Sequence, residues 1–146
     1  MATRRAGREL AVQILYGIDL SGEEPAAAIT RHLSSFDSGA DASDFARLLV
    51  EGVALHRETL DARIAEASEH WRLERMSVVD RNILRVAIYE MIYTSDVPPS
   101  VAINEAIEIA KTYGTEASPP FINGLLDRVA ALVAAGPGAR SGKKEP

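Results

Sequence analysis

Three arginines, Arg4, Arg5 and Arg8, precede the first carboxylate, Glu9, in "RRAGRELAVQILY". Guanidinium groups clasp phosphates with paired hydrogen bonds. The ring of Tyr16, which closes the stretch, offers a stacking face to an unpaired base. At 100° per residue, Arg5, Arg8, Val12 and Tyr16 share one side of a helix with Gln13 at its edge, opposite an apolar stripe of Leu10, Ile14 and Ile18. Phosphate clamps beside a stacking ring are the means of single-stranded RNA recognition. A second reading of the same residues stays open: a solvated basic terminus beside a half-buried tyrosine. Cations at the positive end of a helix cost roughly 0.3–1 kcal/mol. The RNA reading accounts for that cost, because an anion from outside the chain would meet them.

Other chemistry is hard to find. His32, His56 and His70 are scattered, and none forms an i, i+4 metal-binding pair. No glycine-rich phosphate loop or nucleophile elbow is present. Glu105 and Glu108 read as the solvated face of a helix. The chain has no cysteine, which removes disulfides, thiolate metal sites and a cysteine nucleophile. No catalytic, metal or cofactor site is therefore expected. The net charge of −5 means that the body as a whole does not attract nucleic acid. Binding must come from local patches, of which Arg4, Arg5 and Arg8 form one and Arg140, Lys143 and Lys144 another. No apolar run approaches the ~20 residues of a membrane span. With no signal-peptide pattern, a cytoplasmic location is expected.

The elements that would position these residues are all helical. Apolar residues make up 47% of the 146 and aromatics 5%, so the core is mostly Ala, Leu, Ile and Val. The first helix carries the Leu10 stripe, and Gly7 suggests a start frayed by or delayed beyond the basic arm. Pro25 opens a second helix to about Leu33. After the turn-forming "FDSGADAS", Ser43 reads as the cap of a long third helix from Asp44 to Trp71. Its apolar face is Phe45, Leu48, Leu49, Val53, Leu60, Ile64 and Trp71, and unbroken it would span about 40 Å. "SVVD" has the capping-box form, with Ser77 as cap and Asp80 three residues on. The helix that follows, to about Tyr93, is apolar on most of its circumference, as the buried centre of a bundle is. Another helix closes on Lys111 and Gly114, and Ser118 and Pro119 open the last, which ends near "AAGPG". Asn123 and Gly124 read as helix-packing residues. The polar "ARSGKKEP" reads as a disordered tail.

With "WRLERMSVVDRNILRVAIYE", "DVPPSVAINEAIEIAKTYGTE" and "FINGLLDRV" set beside "RRAGRELAVQILY", the chain resembles the NusB family of transcription antitermination factors. The resemblance implies an all-α fold of two small helical bundles packed together as one compact domain. The division is a basic arm at 1–8, an N-terminal bundle at 9–73, a C-terminal bundle at 74–137 and a tail at 138–146. It also implies no enzymatic activity. The role implied is binding of single-stranded boxA RNA together with NusE, a small-subunit ribosomal protein, within the RNA polymerase antitermination complex on ribosomal RNA operons. Carried over residue by residue, the RNA surface takes in Arg4, Arg5, Arg8, Gln13, Tyr16, Asp80, Arg81, Tyr113, Glu116 and Phe121. Asp80 has a competing role as a helix cap, and Phe121 as a core residue. Ala117 and Pro120 depart from the family pattern, which often has an acid or amide and a basic residue there. RNA affinity of the chain alone is thus expected to be weak. Two other functions stay open: a helical adaptor or homodimerisation module, and an RNA-binding accessory domain acting with a separate ribosomal RNA methyltransferase.

Overall fold

The computed structural model describes residues 2–35, 39–68 and 72–135. Among the described residues seven helices run in order: α1 (Ala2–Ser21), α2 (Pro25–Ser35), α3 (Ala40–Leu55), α4 (Arg57–Ala67), α5 (Val78–Tyr93), α6 (Pro99–Tyr113) and α7 (Ser118–Ala135). A single 3-10 turn, Leu73–Arg75, leads into α5, and no strand occurs among the described residues. The chain is all-α, as its apolar periodicity requires. His70, Trp71, and the tail from Gly138 with Arg140, Lys143 and Lys144 lie outside the described residues.

Arg4, Arg5 and Arg8 lie inside α1, which begins at Ala2. Gly7 does not fray the helix but lets it approach α3. A Cβ there would lie 2.7 Å from Cδ2 of Phe45. Glycine costs about 1 kcal/mol in a helix interior, and packing of the buried face of Leu10, Ala11, Ile14 and Leu15 outweighs that local preference.

The long third helix is two. It bends at His56, whose φ of −107° and ψ of 21° leave the helical region. Hydrogen bonds persist on both sides, from His56 N to Gly52 O and from Leu60 N to His56 O. The bend lets α3 and α4 each pack on α5, where an unbroken rod would leave a globular core tangentially. The His56 ring stacks on Tyr93 with centroids 3.8 Å apart. One turn before the bend, a Cβ on Gly52 would overlap the Tyr89 ring, so glycine is required there for α3 to meet α5. Ser43 is not the cap. Gly39 holds that position, at φ 89°, and Ser43 donates its backbone N–H to Gly39 O inside the first turn. Leu48 is not part of the apolar face but 63% exposed.

Helix α5 is the buried centre. Ile83, Leu84, Val86, Ala87, Ile88 and Met91 are all buried, and α1, α3, α4, α6 and α7 surround them. Ser77 caps it, its Oγ accepting from Asp80 N at 3.0 Å. Three polar side chains, Asn82, Arg85 and Glu90, are buried with the apolar ones, so each must find a partner. One continuous apolar cluster draws on all seven helices. Gly114 closes α6 with an extended backbone, and the loop is held by Thr115 N donating to Ser118 Oγ at 3.0 Å. Asn123 is exposed and Gly124 faces open space, so neither packs helices together. None of the described helices is long and apolar enough to cross a membrane.

Candidate nucleic-acid interface

The arginines of α1 meet carboxylates of the chain itself. Arg8 is 3% exposed, and its Nε and Nη2 donate to the two Glu90 oxygens at 2.7 and 2.9 Å. Its Nη1 lies 3.5 Å from Glu105. Arg8 is thus a buried cation that fixes α1 to α5. The reason is its register, four residues before buried Val12 on the face that packs inward. Arg5 remains partly exposed and donates from Nε and Nη2 to the two oxygens of Glu105, the second at 2.9 Å. That hydrogen bond holds the Glu105 carboxyl below its ordinary range and raises the Arg5 guanidinium. Arg4 donates to Asp96 at 3.3 Å and lies over the Phe45 ring, 4.5 Å from its centroid. The cost of cations at a helix start is thus offset by Glu90, Glu105 and Asp96, not only by an external anion.

Further along α1 the expected residues do converge. Gln13 Nε2 donates to Tyr113 Oη at 3.1 Å, joining α1 to the end of α6. Tyr16, one turn on, is 40% exposed and Tyr113 39%. Glu116 is exposed in the following loop. An amide and two partly exposed tyrosines thus lie on the second half of α1 and the end of α6.

Asp80 and Phe121 line one cleft of about 340 Å³ with Arg75, Met76, Ser77 and Ala117. Phe121 is neither wholly core nor free. It packs on the apolar cluster and shows part of its ring to the cleft. Asp80 caps through its backbone N–H, while its Oδ1 is buried without a hydrogen-bond partner among the described residues. The capping box is therefore half formed, and one carboxylate oxygen is left over. Arg81 points inward, with Nη2 3.9 Å from Asp19 and Nε unpartnered. It does not join the cleft-lining residues. Arg75, at the cleft and exposed, was not singled out in the sequence. Its signal was the position two residues before the Ser77 cap, which puts it at the mouth of the helix start.

A second network centres on the buried Arg85. Arg85 donates to Asp61 Oδ1 at 2.7 Å, to Asp19 Oδ2 at 2.8 Å and to Asn82 Oδ1 at 3.0 Å. It ties α1, α4 and α5 at one point. Burial pushes the Asp19 carboxyl up, but Arg85, Asn82 and Arg57 outweigh it and hold the group below its ordinary value.

The class is an all-α protein wound around one buried helix, with an arginine, tyrosine and acid surface at the ends of α1, α5, α6 and α7. The chain belongs to the NusB family, whose family model matches residues 5–131. It is 49% identical over 134 residues to transcription antitermination protein NusB of Geobacter sulfurreducens, covering 91% of this chain and 97% of that one. The T. maritima NusB structure matches with a TM-score of 0.78 at 38% identity, over 88% of this chain and 90% of the other. A chain in the crystal structure of antitermination factors NusB and NusE in complex with dsRNA matches with a TM-score of 0.81 at 27% identity, over 90% and 98%.

Proposed function

We propose that this chain is a non-enzymatic RNA-binding antitermination factor that binds boxA RNA together with NusE and promotes transcription of ribosomal RNA operons in the cytoplasm, within the RNA polymerase complex. The observation that carries the reading is its likeness, over most of both chains, to the NusB of a complex with NusE and RNA. The local chemistry agrees. Arg4 and Arg5 supply phosphate contacts, Tyr16, Tyr113 and Phe121 supply stacking faces, and Gln13, Asp80 and Glu116 supply hydrogen bonds to base edges. Arg8 and Arg81 act beneath this surface as positioning residues. That solved complex holds double-stranded RNA. Exposed tyrosines favour unpaired bases, because a paired base keeps its faces stacked in the duplex.

The test is a binding titration with NusE present, using a boxA-like single strand and the same sequence in a duplex. Tighter binding of the single strand, lost in Tyr16→Ala, supports the proposal. No preference, or an unaltered Tyr16→Ala, contradicts the use of this surface.

A further inference from the structure

Each partly exposed arginine of α1 already holds a carboxylate where a phosphate would sit. The two pairs differ. Asp96 meets Arg4 with one contact at 3.3 Å, and the side chains are 64% and 43% exposed. Glu105 fills the whole fork of Arg5 with two contacts and is only 16% exposed. It is held from a second side by Arg8, itself locked to Glu90. A carboxylate in a guanidinium fork offers two oxygens to two parallel N–H donors, as a bound phosphate does. Water and salt screen the Asp96 pair and leave it weak, whereas the Glu105 pair is screened much less.

We propose that Glu105 is a built-in phosphate mimic that occupies Arg5 and must be displaced when RNA binds. The inference rests on the RNA reading above and adds a regulatory contact to that surface. A neutral Arg5–Glu105 pair does not neutralise a phosphate, so Arg5 contributes little until the pair opens. The competition lowers affinity for every RNA by the same factor. Binding then rises above background only where base contacts or a second protein add to it.

The experiment compares the wild-type chain, Glu105→Gln, Arg5→Ala and the double variant, each with the boxA-like single strand and NusE, across a salt series. Glu105→Gln is expected to bind about fivefold tighter, a modest gain suited to a pair whose guanidinium stays partly exposed. Its slope of log K against log salt should steepen by up to about 0.7, the value of one phosphate contact on a single strand. Both effects should vanish in the Arg5→Ala background. Unchanged or weaker binding by a folded Glu105→Gln overturns the proposal, as does a gain that survives loss of Arg5. If Glu105→Gln does not fold, the wild-type Arg5 Nε–H resonance gives the answer by NMR. A signal that moves from its Glu105-bonded position on RNA saturation supports displacement, and an unmoved signal refutes it. Failure of the wild-type chain to bind RNA at any salt sinks the RNA reading itself, and this proposal with it.

Discussion

At the scale of single residues, charge placement decides what each arginine can do. Arg8 and Glu90 are buried together, and removing one strands the other in a medium that does not solvate it. Arg8→Ala should therefore destabilise the fold by about 3–5 kcal/mol, the usual cost of breaking a buried pair. Denaturant unfolding checks this, and a loss below about 1 kcal/mol would return Arg8 to the surface role. Asp80 tests the opposite case. Its capping bond uses the backbone N–H, so Asp80→Asn should cost no more than about 1 kcal/mol. RNA affinity should nonetheless fall, because the substitution removes the charge of a carboxylate that lines the cleft. Unchanged affinity with lowered melting would make the acid structural only. The arginine cluster was plain in the sequence, but its burial was not. Whether a cation meets phosphate or glutamate depends on partners 82 and 100 residues away, which no local pattern records.

At the scale of elements, the helices and the Ser77 cap were legible because each rests on short-range periodicity and turn chemistry. The bend at His56 was not, since the apolar stripe runs on through it and the cause is packing against Tyr93 and α5. Glycines show the same division. Gly52→Ala drives a methyl into Tyr89, and overpacking of about 1–3 kcal/mol should exceed the roughly 1 kcal/mol gained in helix propensity. Gly124→Ala meets nothing and should stabilise by about 0.5–1 kcal/mol. Thermal melting of the pair separates them, and equal shifts would contradict the packing described. The Asp19–Arg85 joint of α1, α4 and α5 and the Arg5–Glu105 pair of α1 and α6 give a pH dependence. Asp19 and Glu105 sit below their ordinary values of 3.8 and 4.5, so the folded state binds fewer protons than the unfolded one. Their stabilisation is complete above those values and is lost as pH falls through the lower folded values. The stability that these two carboxylates contribute should be flat from pH 7 to about 5 and decline below 4.5, less steeply in Asp19→Asn. An equal acid decline in that variant would remove Asp19 from the account.

At the scale of the molecule, a net charge of −5 sits behind a short basic surface whose strongest arginine is already paired. Few phosphate contacts remain to the chain alone, and Ala117 and Pro120 add no charge beside the cleft. A partner that extends the basic surface supplies what is missing, and the coupling must be reciprocal. The most direct measurement is therefore a closed cycle: boxA RNA affinity with and without saturating NusE, and NusE affinity with and without saturating RNA. Each ligand should tighten the other by the same factor, about 5–150-fold or roughly 1–3 kcal/mol. RNA affinity that is the same with and without NusE would contradict the account, leaving two unconnected binding activities in place of one shared surface.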